Sequence, residues 1–408
     1  MPYDVVIVGG GIIGLSTGMA LLSAHPHLSL AVLEKEPALA THQTTHNSGV
    51  IHSGVYYRPG SLKAQVCATG AQMLIEFCQA QGIPVERCGK LIMATNSAEL
   101  PVLRMLYERG RANGVSALSL LSPEAFREIE PQATGVQALH VGSAGIVDYA
   151  LVAQAYGRVL ACAGGVIKTS TRVRSIARRA GVWVLETTAG VLESRYLITC
   201  AGLYADRLAA MAGGPPDVCT VPFRGEYYTV VPERRWLVRH MIYPVPNLHL
   251  PFLGAHLTRT IHGALHAGPN AVLALKREGY RKTDVNWTET AQFMRFPGFW
   301  RMAGRYWSVG CAELYRSLSK GAFVRALQRL VPALRAEDLV ASPSGVRAQA
   351  LDLHGSLLDD FNVVTGEQAL YVRNVPSPAA TASIRIGQLL AEMAATTGLT
   401  SPSVCVKV

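Results

Sequence analysis

The chain has 408 residues, of which 49% are hydrophobic and 16% are charged, and its formal net charge is +10. This length predicts two domains of ordinary size, and this composition excludes a disordered chain. The positive charge favours an anionic substrate, an anionic cofactor or an anionic membrane face, whereas the dispersed Lys and Arg residues argue against a nucleic-acid partner.

Targeting and metal signals are absent from the sequence. No stretch reaches the roughly 18 uninterrupted apolar residues that a membrane span needs. The first residues already read as a strand rather than a signal peptide, so we expect a cytoplasmic protein. The eight cysteines are scattered without zinc-type spacing, which predicts reduced thiols and no metal site.

The chain opens with an apolar strand that breaks into glycines, D-V-V-I-V-G-G-G-I-I-G. In this G-x-G-x-x-G fingerprint Gly9 makes a tight turn, Gly11 lets a pyrophosphate approach the backbone and Gly14 lets a helix pack on the strand. The helix that begins with Ile12 and Ile13 presents free N–H groups to phosphates. The pattern predicts a dinucleotide-binding βαβ unit.

A second strand, residues 28–33, leads into Glu34 and Lys35. The Glu34 carboxylate is placed to accept hydrogen bonds from the ribose hydroxyls of a bound adenosine. Because a carboxylate would repel a 2′-phosphate, NADP is disfavoured at this site.

The chain then leaves this unit for the first time. A polar loop at residues 41–60 precedes a helix capped by Ser61, a strand is predicted at residues 86–95, and a helix at residues 99–114. The chain returns through a helix and several strands, the last of which, Y-L-I-T-C-A-G, breaks at Gly202 as a strand does when it ends at a ligand.

A second departure begins after residue 215. Residues 221–277 alternate between apolar and polar side chains and contain many turn-forming residues, which predicts an antiparallel sheet. Residues 288–334 are predicted to be mostly helical. The turn V-P-S-P-A-A-T-A-S and a final helix close the chain. Because the chain leaves and re-enters the nucleotide unit twice, an FAD-type architecture is favoured over a contiguous NAD-binding domain.

We therefore predict an α/β fold in which a Rossmann-like FAD-binding domain of the glutathione-reductase type is interleaved with a mixed-sheet α+β substrate domain. The FAD-binding domain is predicted to comprise residues 1–85, 146–215 and 341–408. The substrate domain is predicted to comprise residues 86–145 and 216–340.

Several long strings resemble one family, and they occur in order along the whole chain. They include H-N-S-G-V-I-H-S-G-V-Y-Y-R-P-G-S-L-K-A (residues 46–64), P-F-R-G-E-Y-Y (222–228), L-P-F-L-G-A-H-L-T-R (250–259) and S-P-A-A-T-A-S-I-R-I-G (377–387). The strings resemble the D-amino-acid-oxidase-like FAD oxidoreductases and, within that superfamily, the L-2-hydroxyglutarate dehydrogenases/oxidases. One departure is Val375, where the family's closing turn usually has a small residue.

The resemblance implies a noncovalent FAD and the oxidation of L-2-hydroxyglutarate to 2-oxoglutarate by hydride transfer to flavin N5, with quinone or oxygen as electron acceptor. The cofactor-binding residues that it implies are Gly9, Gly11, Ile12, Ile13, Gly14, Glu34, Lys35, Thr45, His46, Asn47, Ser48, Gly49, Val173, Ala201, Gly202, Arg347, Ser377, Pro378, Ala379, Ala380 and Thr381. Two alternatives stay open. One is a sarcosine- or glycine-oxidase-like amine or amino-acid oxidase, and the other is a non-catalytic flavin-binding protein.

Oxidation of a 2-hydroxy acid needs a base for the hydroxyl proton and cations for the carboxylates. His256 is the preferred base, because desolvation in its apolar strand would keep it neutral, and His52 in the loop beside the flavin is its rival. In a regular strand Arg259 would lie on the face opposite His256, so a bulge or the end of the strand must bring them together. The other candidates are Arg224, Arg277, Arg347, Lys90 and Tyr57, each of which has a structural or solvated role as its alternative.

Residues 293–312 contain six aromatic residues and three arginines but no acidic residue. From residue 298 onward, five residues follow one another at the spacing of one helix face: Trp300, Gly304, Trp307, Cys311 and Leu314. Such a helix can lie in a bilayer interface, and the alternative is a helix packed on the second domain with its arginines at the rim. A membrane-facing insert near residues 288–320 would place the protein peripherally on the inner, cytoplasmic membrane face, close to quinone.

Overall fold

The computed structural model of the chain describes residues 1–247 and 254–399. Its strands are β1 (Tyr3–Val8), β2 (Leu30–Leu33), β3 (Val50–Ile51), β4 (Val85–Glu86), β5 (Lys90–Ala94), β6 (Leu118–Leu121), β7 (Gln137–Val141), β8 (Gly145–Val147), β9 (Val166–Lys168), β10 (Val173–Arg179), β11 (Val182–Thr187), β12 (Gly190–Thr199), β13 (Val218–Val230), β14 (Met241–Pro244), β15 (His256–Arg259), β16 (Leu265–Gly268), β17 (Val272–Leu273), β18 (Leu339–Asp352), β19 (Asn362–Gly366) and β20 (Ala369–Asn374). Its helices are α1 (Ile12–Ala24), α2 (Leu62–Ala80), α3 (Leu100–Ala112), α4 (Pro123–Ile129), α5 (Tyr149–Cys162), α6 (Ala205–Met211), α7 (Trp287–Met294), α8 (Pro297–Leu318), α9 (Lys320–Gln328) and α10 (Ser383–Ala394). The end of the third predicted FAD-binding segment and part of the string at 250–259 lie outside the described residues.

The first sheet is organised around β1. Strands β9, β2, β1 and β12 are parallel in that order, and β20 continues the sheet parallel to the second half of β12. The hairpin β10–β11 pairs antiparallel with the first half of β12. Val5 and Ile7 pack with residues of α1, α5 and α10, whereas Val6 packs with residues of α6 on the opposite face. Because both faces are covered, the strand needs the continuous apolar run that its sequence has.

The second sheet has nine strands. Strands β6, β7, β5, β14, β15, β16 and β13 follow one another, β17 also pairs with β13, and β18 runs along the other edge of β13. The pair β5–β14 is parallel, and it joins strands from the two predicted segments of the substrate domain. The predicted fold class, a Rossmann-like sheet interleaved with a mixed sheet, is therefore confirmed.

Two boundaries differ from the prediction. Strand β18 pairs with β13 through Asp352, so residues 341–352 belong to the second sheet and the first sheet resumes only at β19. The strand predicted at residues 86–95 is divided at Gly89, whose φ of +74° breaks an extended chain. Strand β4 before it joins β8 and β3 in a small third sheet, whereas β5 after it joins the second sheet.

Helix α8 has a buried side and an exposed aromatic side. Phe299 and Met302 pack into a core with Val221 and Leu351. The outward side chains include Trp300, Trp307, Leu314, Tyr315 and Leu318, which are 49–74% exposed. Among the residues that the structure describes, no helix combines the length and the apolar character that a membrane crossing requires.

Candidate active site

One large cavity, of about 840 Å³, lies where elements of the two sheets meet. Its wall includes the turn after β1, the ends of β2 and β12, and the closing turn before α10. On the other side it includes residues of β13, β14, β15 and β18 in the second sheet. The cavity therefore joins the predicted cofactor site to the predicted substrate site.

The glycine fingerprint packs with no space for side chains at two of its positions. A Cβ on Gly9, whose φ is +121°, would lie 2.2 Å from the carbonyl oxygen of Cys200, and a Cβ on Gly14 would lie 2.0 Å from that of Gly9. Gly11, the N-cap of α1, makes no side-chain capping bond, and the first turn of the helix has no acidic residue. The positive end of the α1 dipole therefore faces the cavity, and the helix itself has no acidic side chain in its first turn.

Glu34 is buried at the end of β2 and lines the cavity. Its Oε2 accepts a hydrogen bond from the backbone N–H of Gly10 at 2.9 Å, and its Oε1 accepts one from the backbone N–H of Glu36 at 2.9 Å. These two bonds fix the carboxylate in the cavity wall, with lone pairs remaining for ribose hydroxyls.

Most of the predicted cofactor residues line this cavity. Gly14, Thr45 and Gly49 do not, and each shapes the backbone behind the wall. Gly14 packs on Gly9, the Thr45 hydroxyl donates to the carbonyl oxygen of Ala40 at 3.0 Å, and Gly49, with φ of +70°, donates its N–H to the Asn47 side chain at 2.8 Å. The remaining predicted residues form the wall itself: Gly9, Gly11, Ile12, Ile13, Glu34, Lys35, His46, Asn47, Ser48, Val173, Ala201, Gly202, Arg347, Ser377, Pro378, Ala379, Ala380 and Thr381.

The closing turn is tied to the loop that precedes α2, more than 300 residues earlier. The backbone N–H of His52 donates to Thr381 Oγ1 at 3.1 Å, and the Tyr149 hydroxyl lies 3.1 Å from the same oxygen. The Tyr57 hydroxyl lies 3.4 Å from Ser377 Oγ. These bonds bring both ends of the predicted flavin site together.

His256 is oriented as a base would be. Its Nδ1 lies 2.8 Å from the carbonyl oxygen of Gly254, which has only lone pairs to offer, so Nδ1 carries the proton and Nε2 keeps its lone pair. The ring stacks on Tyr243 with 3.9 Å between centroids. Burial lowers the pKa of His256 to about 3, and the charges of Arg347 and Lys90 act in the same direction. The imidazole is therefore neutral and can accept a proton.

His52 lies nearby in the cavity wall, and its Nδ1 is buried without a partner in the described part of the chain. Burial, with the charges of Lys90 and His256, lowers the pKa of His52 to about 3 as well. Burial raises the pKa of Tyr57 well above its usual value, so this hydroxyl stays protonated and can donate. Arg347, from β18, completes the group of predicted catalytic residues that line the cavity.

Two predicted substrate cations form buried ion pairs outside the cavity wall. Arg224 donates through Nε and Nη2 to Glu226 at 3.1 and 3.0 Å. Arg277, 1% exposed, binds Asp206 through both terminal nitrogens. Because their charges are neutralised where they lie, we correct the assignment of these two arginines: they hold the second sheet and α6 in place.

Arg259 also differs from the prediction. Arg259 lies on the opposite face from His256, as strand alternation requires, and lines a separate surface cavity with Arg235 and Arg239. We therefore correct its assignment to the substrate site. Lys90 lies just behind the main cavity wall, with its Nζ 4.5 Å from the centre of the Tyr56 ring.

Sequence reasoning missed several residues in the wall. Tyr227, Tyr243, Lys63 and Tyr306 line the cavity, and Lys63 pairs with Asp359 at 2.8 Å. Tyr227 and Lys63 lie within the strings quoted above, which was the available signal. Tyr243 and Tyr306 had none, because their positions depend on how β14 and α8 pack.

The residues present fit a dinucleotide with a flavin. The α1 terminus can take the pyrophosphate, Glu34 the ribose of the adenosine, and the closing turn the ring system beside His52. The unpartnered buried nitrogen of His52 and the close packing behind Gly9 and Gly14 both indicate a cavity built for a bound group.

The chain is similar to known proteins over nearly its whole length. Residues 4–393 match the family of FAD dependent oxidoreductases. The chain is 46% identical to the L-2-hydroxyglutarate dehydrogenase of Indibacter alkaliphilus, over 97% of this chain and 99% of that one. It is 45% identical to the mitochondrial L-2-hydroxyglutarate dehydrogenase of Homo sapiens, over 96% of this chain and 88% of that one.

A solved structure shares the fold at lower identity. The L-α-glycerophosphate oxidase of Mycoplasma pneumoniae with FAD bound has a TM-score of 0.79 and 23% identity, over 96% of this chain and 94% of that one. The sequence matches assign the family: the chain belongs to the FAD dependent oxidoreductases and, within them, to the family of the L-2-hydroxyglutarate dehydrogenases.

Proposed function

We propose that this protein oxidises L-2-hydroxyglutarate to 2-oxoglutarate with a noncovalently held FAD. The observation that carries the proposal is the neutral His256, which lines the same cavity as Arg347 and the glycine fingerprint and whose Nδ1 hydrogen bond leaves Nε2 free to accept a proton. The names of relatives at 42–46% identity over nearly the full chain support this substrate.

The reaction divides into a proton and a hydride. Nε2 of His256 accepts the proton of the C2 hydroxyl as the C2–H bond breaks and its electron pair leaves with the hydrogen. Bound FAD supplies the acceptor for that hydride. The C2–O bond becomes the carbonyl of 2-oxoglutarate, so every proton and electron pair is assigned.

The substrate itself strengthens the base. In the free protein the pKa of His256 is about 3, which makes it a weak base. A dicarboxylate bound beside it brings two negative charges, and a nearby negative charge favours the imidazolium form. The pKa of His256 therefore rises when the substrate is in place, which improves proton transfer.

Arg347 is the proposed partner of the C1 carboxylate. A guanidinium donates two parallel hydrogen bonds to a carboxylate and so fixes its orientation as well as its position. Tyr57, which keeps its proton, is the proposed additional donor. Holding C1 in this way orients the hydroxyl towards His256.

Anaerobic mixing of the holoenzyme with candidate substrates tests the proposal. We expect L-2-hydroxyglutarate to bleach the flavin absorbance, whereas its D-enantiomer, glycerol 3-phosphate and sarcosine leave it unchanged. Bleaching by sarcosine alone would indicate an amine oxidase instead. A flavin that no substrate bleaches would indicate a non-catalytic flavin-binding protein.

We further propose that the electrons pass to quinone at a membrane surface. The outward stripe of α8 carries Trp300 and Trp307, 60% and 69% exposed, with the exposed Arg301 and Arg305 beside them. The helix reaches the cavity wall at Tyr306, where its backbone departs from helical geometry. An interfacial helix with aromatic and basic side chains suits an anionic bilayer and would bring the cavity close to a lipid-soluble acceptor.

The double change Trp300→Ser and Trp307→Ser should weaken sedimentation with phosphatidylglycerol vesicles by about tenfold or more, because both rings leave the interface. Oxidation of L-2-hydroxyglutarate with a soluble dye as acceptor should stay at the wild-type rate. The matched control is Trp236→Ser, which removes another exposed ring, 56% accessible, away from α8. Equal sedimentation of the wild type and the double variant would remove the membrane proposal and leave oxygen as the acceptor to test.

A further inference from the structure

Three buried polar atoms without a partner belong to residues in or directly behind the cavity wall. They are Nζ of Lys90, Nδ1 of His52 and the hydroxyl of Tyr56, and none has a hydrogen-bond partner within the described part of the chain. Buried polar groups in native proteins are nearly always satisfied. A cluster that is not satisfied by the protein therefore points to a ligand with complementary groups.

Lys90 differs from the other lysines around this cavity. Lys63 is paired with Asp359 at 2.8 Å, and Lys35 is paired with Glu278 at 2.6 Å. Lys90 is 1% exposed, and no carboxylate of the residues described here lies within 4 Å of its ammonium. A buried ammonium is costly without an anion, and aromatic rings compensate only part of that cost.

The ammonium is one layer of side chains away from the cavity. Its Nζ lies 4.5 Å from the centre of the Tyr56 ring and 5.1 Å from that of Tyr243. His52 and His256, on which its charge acts, line the same wall as these two tyrosines. The flexible four-carbon stem of lysine lets the ammonium meet an anion that enters between the rings.

We propose that Lys90, with the Tyr56 hydroxyl, binds the C5 carboxylate of the substrate and thereby selects a dicarboxylate. This inference rests on the proposed function, in which Arg347 holds the C1 carboxylate. The charges of both Arg347 and Lys90 act on His256, so two cations lie close to the proposed base. A five-carbon dicarboxylate can pair with both cations while its C2 hydroxyl meets the base.

The selectivity for a dicarboxylate arises because a substrate with a single carboxylate leaves the Lys90 ammonium unpaired. A 2-hydroxy acid that ends in a methyl group would leave the Lys90 ammonium buried without an anion. Sites built for a polar group reject analogues that lack it far more strongly than apolar pockets reject a missing methylene. The discrimination therefore comes from Lys90 rather than from the volume of the cavity.

The change Lys90→Met tests the inference with two substrates of equal length. We expect kcat/KM for L-2-hydroxyglutarate to fall about 100-fold or more, whereas kcat/KM for L-2-hydroxyvalerate stays within about threefold of the wild type. The matched control is Lys320→Met, which removes a lysine whose ammonium also lies over a tyrosine ring, 6.0 Å from the centre of Tyr228, but which does not line the cavity. This change should leave the ratio of the two substrates unchanged. If kcat/KM falls equally for both substrates in Lys90→Met, Lys90 has a structural role only and the proposal is overturned.

A binding measurement separates this inference from the proposed function. Glutarate has both carboxylates but no hydroxyl, so its binding to the holoenzyme, followed by the perturbation of the flavin spectrum, needs no turnover. We expect its Kd to weaken about 100-fold in Lys90→Gln and to weaken much less in Lys90→Arg, with flavin content unchanged. If glutarate binds Lys90→Gln as it binds the wild type, the subsite does not exist, whatever substrate the enzyme oxidises.

Discussion

The variant His256→Gln should reduce its flavin with L-2-hydroxyglutarate about 10²–10⁴ times more slowly than the wild type, because a positioned base contributes that much to a proton transfer. Glutamine can keep a hydrogen bond to the Gly254 carbonyl but has no lone pair basic enough to take the hydroxyl proton. The measurement is the rate of flavin bleaching in anaerobic stopped flow at saturating substrate.

The matched control for this result is His52→Gln, the rival histidine on the same wall. We expect this variant to retain flavin and to reduce it at least ten times faster than His256→Gln, because His52 lacks the hydrogen bond that fixes the tautomer of His256. If instead His52→Gln is the slower of the two, the base assignment must be exchanged. Wild-type rates in both would remove histidine from the chemistry.

The pH dependence of the wild type follows from the same histidine. The pKa of His256 is lowered to about 3 by burial, and the charges that face it, Arg347 and Lys90, favour the same neutral form. The imidazole in the free enzyme is therefore neutral at every pH well above 3. We expect kcat/KM to show no loss from this group as the pH falls from 7 to 5, in contrast to an enzyme whose base has an ordinary histidine pKa near 6.5.

The variant Gly14→Ala should purify without flavin and unfold at a lower temperature. The new Cβ would lie 2.0 Å from the carbonyl oxygen of Gly9, so α1 must move away from the turn that is predicted to hold the pyrophosphate. Overpacking of this kind costs about 1–3 kcal/mol or more of stability. The measurements are the flavin absorbance of the purified protein and its Tm.

Two other glycine changes make the result specific to the backbone contact. In Gly11→Ala the new Cβ would lie 3.5 Å from Thr44 Oγ1, an ordinary distance, so the protein should fold as the wild type and bind flavin about tenfold or more weakly. In Gly304→Ala, on the exposed side of α8, the Cβ meets nothing within 4 Å, and neither stability nor flavin content should fall. If Gly14→Ala retains flavin, the close packing of α1 on the turn does not control cofactor binding.

The sequence predicted only in part which cations line the cavity. Arg224 and Arg347 are equal candidates in the sequence, yet Arg224 pairs with Glu226 and Arg347 lines the cavity. A signal did exist for Arg224, since residues i and i+2 of a strand share a face and its partner is two positions away. For Arg277 there was none, because its partner Asp206 is 71 residues distant in the chain.

The nucleotide end of the site could be read from the amino-acid sequence. A strand buried on both faces, a turn with φ of +121° at Gly9 and a close contact at Gly14 are local requirements, and local requirements leave a readable pattern. The interleaved fold class could also be predicted from the sequence, because the strand and turn patterns show where the chain leaves the nucleotide-binding sheet and where it returns.

Which charged side chains pair with one another, and which lie at the cavity, depends instead on the packing of distant segments. In the sequence nothing distinguishes Lys90 from the other basic residues. Its buried, aromatic surroundings depend on the pairing of β5 with β14, which places the Tyr243 ring 5.1 Å from its ammonium. The tautomer of His256 likewise depends on a carbonyl oxygen 2.8 Å away. The free energy of a charge is set by the atoms around it in space, and most of those atoms come from residues far away in the chain.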